Sequence, residues 1–239
     1  MIRKHINIFI YIAIMVCVVL CAGCAEGLFG EDCTQHHTRR IELSGEIDQV
    51  AVTRVNDGGF CDGDGMGIYI VDYKAGTPGT LQQSGNRADN VCYTYDEANR
   101  KWNSDYDVYW KDFHTHIDVY GYYPYVKSVS IDNYTFNVQR DQSTATADGK
   151  MGGYEASDFL WGKLNDVAPT SAALRLLLRH RMSSACVKLL KGDGFTESEW
   201  ESIDKTVLVT NLARKASVNM TDGTVKVAGD VEMSATIPS

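Results

Sequence analysis

Proline is scarce in this chain, with four residues in 239, and no stretch carries the sustained 3.6-residue apolar period of a long amphipathic helix. Positive charge is also in deficit. Lys and Arg total 23 against 31 Asp and Glu, for a formal charge of -8 and a pI near 5.2. That balance argues against a nucleic acid as partner, because a phosphate backbone selects basic surfaces. Past Cys24, no CxxC pair or other tight metal-ligand spacing occurs. Nor is there a serine nucleophile elbow, a paired-carboxylate setting, a phosphate loop or a cysteine–histidine arrangement. No catalytic residue, cofactor or metal site is assigned, and the chain reads as a non-enzyme.

What is present begins with an address. Arg3 and Lys4 precede an unbroken apolar run over 8–20, and the small residues Ala22 and Gly23 lead into Cys24. The run is shorter than the roughly 20 apolar residues a spanning helix needs. Residues 1–23 therefore read as an export signal. Small-small-Cys after such a run is the pattern of lipoprotein processing, so Cys24 is expected to be diacylated and to become the new N-terminus. Cys21 stands where Leu is usual in that pattern, and ordinary signal cleavage is the alternative. Acyl chains contribute about 0.8 kcal/mol per buried methylene, and two make a stable anchor. A membrane, reached through this lipid, is the first expected partner.

Four cysteines remain in the exported chain: Cys33, Cys61, Cys92 and Cys186. An oxidising periplasm permits pairing, with three connectivities open. Cys186 also reads as a plain buried thiol.

Residues 24–40 lack periodicity and read as a tether, leaving 41–239 as one β domain. Over 41–54, Ile41, Leu43 and Ile47 alternate, Gly45 reads as a bulge, and Val50 and Val52 resume after a slip. Residues 56–67 form a glycine–aspartate loop and 68–73 a short apolar strand. A polar stretch over 75–90 precedes an extended 92–95 and a turn at 96–99. The segment 114–123 alternates, with Thr115, Ile117, Val119, Gly121 and Tyr123 on one face. Strands are also expected at 128–131, 134–138, 207–210, 216–220 and 225–227, with Asp222-Gly223 as a hairpin turn. The stretch 195–203 reads as a helical turn or bent loop.

The clearest strand lies at 174–182. Leu174, Leu176, Leu178, His180 and Met182 share one parity, while Arg175, Leu177, Arg179 and Arg181 share the other. Period two puts the first set in a core and the arginines in water. About seven to ten short strands, regular turns and no long helix predict an all-β sandwich.

Some residues invite chemistry. Asp62 and Asp64 are spaced like alternate calcium ligands, but Met66 stands where a third oxygen would be, so a tight turn is the preferred reading. His114 and His116 share one strand face, as some zinc sites do, yet no third ligand is evident and rim histidines are preferred. His180 reads as a hydrogen-bonded core histidine rather than a base. The aromatics Trp102, Tyr106, Tyr109, Trp110, Phe113, Tyr120, Tyr122, Tyr123 and Tyr125 either form a carbohydrate platform or, as preferred, fill the core.

Several stretches together carry a resemblance. They are DFLWGK at 158–163, and Leu178, His180, Met182 and Ser183 running into Val187, Lys188 and Leu189. GDGMGIYIV near 65, NVCYTYDEANRKW followed by DVYW near 100, and IDVYGYYPY near 120 complete the set. In this order and spacing, roughly over 41–230, they resemble the N-terminal domain of the fimbrillin family, the lipoprotein-derived subunits of type V pili.

The resemblance implies a transthyretin-like two-sheet sandwich. It also implies a structural subunit, or an accessory or anchor protein, of a cell-surface pilus at the outer membrane that supports adhesion. Its partners would be other pilus subunits supplying a strand, with a ligand on a host or bacterial surface for adhesion. It further implies that a trypsin-like protease cuts after a basic residue beyond the first strand. Here that residue is Arg54, with Arg40 as the alternative, and the displaced strand carries Ile41, Leu43 and Ile47. A full subunit of the family has a second β domain and a C-terminal strand. With the sequence ending at Ser239, either the chain is a truncated reading or an atypical relative is expected. A surface lipoprotein binding glycan through the aromatics is the competing reading, and a hydrolase is a third.

Overall fold

In a computed structural model, residues 39–48, 59–142, 144, 147, 151–184, 187–203, 205, 207–209, 211–229 and 235–237 are described. The domain is all-β with one short helix. The strands are β1 Leu43–Ile47, β2 Gly65–Asp72, β3 Ala88–Asp96, β4 Lys101–Ser104, β5 Ile117–Tyr123, β6 Tyr134–Asn137, β7 Leu160–Val167, β8 Leu174–His180, β9 Val207–Val209, β10 Lys215–Val218, β11 Val225–Val227 and β12 Ala235–Ile237. Helix α1, Glu197–Ser202, lies between β8 and β9. The described residues hold twelve strands against the expected seven to ten. The strands not expected are β4, β7 and β12, of which β4 and β12 are too short to set up a visible alternation.

Seven strands form one sheet in the order β1-β8-β7-β5-β2-β3-β4. It curls until its two edge regions meet. The backbone N–H of Ile41 donates to the Val108 carbonyl at 2.7 Å, and that of Trp110 donates to the Arg39 carbonyl at 2.9 Å. The inward face holds a core that includes Ile41, Leu43, Met66, Ile68, Ile70, Val119, Leu176 and Leu178.

A smaller sheet, β11-β10-β6, covers part of the outer face and makes a second core from Tyr69, Tyr120, Tyr122, Phe136, Phe159, Trp161 and Val218. β5 is consequently buried at every residue and β2 at all but its two ends. Their alternation separates two cores rather than core from water. Pairing of β12 with β9 adds a two-stranded sheet.

β8 matches its expected period: Leu174, Leu176 and Leu178 are buried while Arg175 and Arg179 are exposed. The strand ends at His180, so two expectations at 181–182 fail. Arg181 donates its backbone N–H to the Phe159 carbonyl at 2.8 Å, and its guanidinium lies over the Trp161 ring, 4.9 Å from the centroid. Met182 packs against the second core instead of the first.

The expected strand at 128–131 is a loop with two buried side chains. Its backbone is satisfied by Gln83, whose side-chain amide donates to the Val129 carbonyl at 2.7 Å and whose oxygen accepts from Ile131 N–H at 3.1 Å. Val129 and Ile131 are buried, which produces the alternation without a strand. Conversely, 88–91 belongs to β3 although its polar composition reads as loop. At 195–203 the helical alternative holds, because Thr196 and Glu199 form a reciprocal capping box at the start of α1.

Candidate functional site: a terminal strand in a closing seam

β1 is the first strand of the large sheet and lies parallel to β8, whereas the sheet's other described pairs are antiparallel. Leu43 is opposite Leu174, Gly45 opposite Leu176 and Ile47 opposite Leu178. The ladder continues at both ends, where Leu174 N–H donates to the Glu42 carbonyl and Asp48 N–H to the Leu178 carbonyl, each at 2.8 Å. On its other side β1 meets the 107–110 segment and β4. Trp102 Nε1 donates to the Gly45 carbonyl at 3.2 Å. The strand therefore closes the curled sheet and has partners on both sides.

Alternation puts Ile41, Leu43, Gly45 and Ile47 inward. Ile41 and Leu43 are buried in the core, and Ile47 packs against it partly buried. Gly45 is not the expected bulge: it sits in register opposite Leu176. Its role is clearance, because a Cβ there would lie 2.8 Å from Met66 Sδ and 3.3 Å from the Trp102 ring.

Outward residues make ion pairs. Arg175 binds Glu46 through two bonds, 2.9 and 2.6 Å, and Arg179 Nε donates to Asp48 at 2.8 Å. The bond from Arg175 holds the Glu46 carboxyl below its ordinary range. Arg40 at the strand's start pairs with Asp107 at 3.0 Å and donates to Ser104 Oγ at 3.2 Å.

Of the residues singled out from the sequence, Ile41, Leu43, Ile47 and Arg40 thus come together in one seam. Cys24, Arg54, Cys33, Cys186, Val50 and Val52 lie outside the described residues, as do the signal and nearly all of the tether. Cys61 is exposed and Cys92 half-buried, both as free thiols. The turn at 61–64 is closed by Asp64, which accepts from Cys61 N–H at 2.7 Å and from Tyr123 Oη at 3.0 Å. Burial raises the pKa of Asp64. Among the described residues no group of three or more His, Cys, Asp and Glu is placed to hold a metal.

His116 meets Asp166 at 2.7 Å on the surface. His180 meets both oxygens of Asp158, at 2.8 and 3.0 Å, which joins the two sequence segments containing DFLWGK and His180. Trp102 and Trp110 are buried at 4% exposure each, so neither presents its ring to solvent. Tyr106, Tyr109 and Phe113 remain exposed, with the Arg39 guanidinium over the Phe113 ring. The clearance at Gly45 and the charge pairs along β1 were missed from sequence. Their partners lie about 130 residues away in Arg175 and Arg179.

An all-β sandwich whose first described strand fills a seam between two edges is the class that fold and site define. The chain belongs to the fimbrillin-like family, whose model matches residues 53–238. A solved protein from Bacteroides uniformis assigned to cell adhesion is similar in fold, with a TM-score of 0.56 and 17% identity, over 84% of this chain and 70% of that one. A fimbrial protein from Bacteroides ovatus is similar at a TM-score of 0.39 and 19% identity, over 61% of this chain and 29% of that one. No curated protein matches.

Proposed function

We propose that this protein is a structural subunit, or an accessory or anchor protein, of a cell-surface pilus. In this reading residues 1–23 direct export through the periplasm and Cys24 carries the lipid that holds the protein at the outer membrane. Residues 24–40 are the tether and 41–239 the sandwich. Proteolysis after Arg54 frees β1 together with the lipid, and a strand from another subunit takes its place. Adhesion to a host or bacterial surface follows from the assembled fibre.

The observation that carries the reading is the seating of β1. It is the first strand of the large sheet, parallel to β8, and with the residues just before it places Ile41 and Leu43 in the core. Removing it would leave the unpaired edge of β8 beside an apolar groove, and such an edge is a template for another chain. The family match begins at residue 53, past β1 and just before Arg54, so β1 lies outside the matched span. Arg40 is the poorer cleavage site. The next residue, Ile41, is buried with its N–H bonded to Val108, and proteases need an extended, accessible backbone.

N-terminal sequencing of protein sheared from cells tests the proposal. A start at Val55 supports proteolytic release, whereas a start at Cys24 in assembled material refutes release and leaves an uncut lipoprotein such as an anchor. A second expected outcome concerns the anchor: cells fed a fatty-acid probe should label the protein, and Cys24→Ala should abolish the label. Persistent labelling of that variant would place the lipid elsewhere.

A further inference from the structure

We infer that the seam selects its incoming strand by a residue pattern: an extended segment of a second chain with glycine at its centre, aliphatic residues at alternate positions on both sides, a cation at its start and acids at its end. The inference rests on the strand-exchange reading above and names the partner that reading requires. The pattern is taken from what surrounds β1, position by position.

At the centre, position 45 tolerates no β-branched side chain. Met66 Sδ would stand 2.8 Å from a Cβ there, and Met66 is fully buried. Trp102 closes the other side and is held on two counts. Its indole donates to the Gly45 carbonyl, and its ring packs edge-on against Phe60 at 4.8 Å and tilted against Tyr95 at 5.2 Å. A flexible methionine can yield to a methyl group, but a packed tryptophan beside it limits how far.

The flanking positions need apolar residues because 41 and 43 are buried in the core and 47 packs against it. Since strand side chains alternate with period two, a one-residue slip would put this whole set in water and bring acids into the core.

Charge then supplies direction. One end of the seam offers Asp107, now paired with Arg40, and the other offers Arg179, now paired with Asp48, while Arg175, level with Ser44, reaches forward to Glu46. A strand running parallel to β8 must therefore present its cation first and its acids last. A reversed strand would bring like charges together at both ends.

Synthetic peptides test this on the full-length protein, with a site-specific protease sequence placed in residues 49–58 so that the chain can be nicked after β1. The probe is a fluorescent peptide of residues 39–48, and its capture is followed by anisotropy and intact mass. The native peptide should exchange into nicked protein and not into intact protein. A peptide with Gly45→Val should bind about 10- to 100-fold more weakly, the range that overpacking a core produces. A peptide with Glu46→Lys and Asp48→Lys should lose about tenfold at low salt. Protein carrying Arg175→Glu and Arg179→Glu should restore its binding.

Folding of the protein is not at stake in the first comparisons, because the changes are in the peptide. If all peptides exchange equally well, the pattern is wrong while strand exchange stands. If even the native peptide fails to enter nicked protein, strand exchange falls and the pattern falls with it.

Discussion

Leu178→Ala is expected to destabilise the domain by about 2–5 kcal/mol, whereas Arg179→Ala should cost about 1 kcal/mol or less. The two residues are neighbours on β8 and differ in which way they point. Leu178 is fully buried in the first core and lies opposite Ile47 of β1, so truncation leaves a cavity at the junction of strand and seam. Arg179 is exposed on the other face, where its Nε meets Asp48 with 65% of the arginine side chain open to solvent. An ion pair so placed is screened and repays little of its ordering entropy. Urea unfolding of the two variants measures the contrast. Equal losses would mean that β8 does not present these two residues to opposite environments.

That contrast was legible in the sequence because β8 separates a core from water, and leucine and arginine differ maximally in their tolerance of each. The same logic weakens wherever both faces are covered. In β5, Val119 and Tyr120 both lie in cores, the second beneath the small sheet, so the alternation seen in the sequence says nothing of the second layer.

Tyrosine adds to the ambiguity, since its hydroxyl makes a buried ring look half polar. Tyr122 is buried, yet its Oη lies 2.6 Å from Asn90 Oδ1 and 3.0 Å from the Val126 carbonyl, two acceptors for its one proton. Burial of this hydroxyl raises its pKa far above the ordinary range.

Loops that are buried fail in the opposite direction. Val129 and Ile131 alternate in burial like a strand, but their backbone is bonded by the Gln83 side chain and by the single Met220 N–H rather than by a strand ladder. For the seam itself, the apolar residues of β1 were visible, as their alternation is local. Its parallel pairing with β8 and the clearance at Gly45 were not, because they depend on residues brought from far along the chain. A glycine in a strand pattern signals either a bulge or a close approach, and only Met66 and Trp102 decide which.

The second large effect is expected from Arg54→Ala in cells: pilus incorporation of this subunit should be lost while export and lipid labelling persist. The reason lies in how tightly β1 is held and how it is returned. Burying the Ile41 and Leu43 side chains contributes roughly 1.5–3 kcal/mol each, before the ladder to β8 is counted. That is a sizeable share of a typical domain stability of about 5–15 kcal/mol, so spontaneous opening of the seam is rare. When it opens in the uncut chain, residues 49–58 keep β1 attached to the body. A strand on so short a link recloses at an effective concentration in the millimolar range, far above that of any partner strand. Cutting after Arg54 removes this advantage, and the departing strand must then compete as a separate molecule. Cutting after Arg40 would not, since β1 would remain joined to the body on its C-terminal side. Arg54→Lys, which preserves a basic residue, separates a need for charge from a need for arginine at the cut. Immunoblots of sheared fibres and membrane fractions measure the outcome. Arg54→Ala subunits found in fibres at the wild-type level would show that strand release does not depend on this cut.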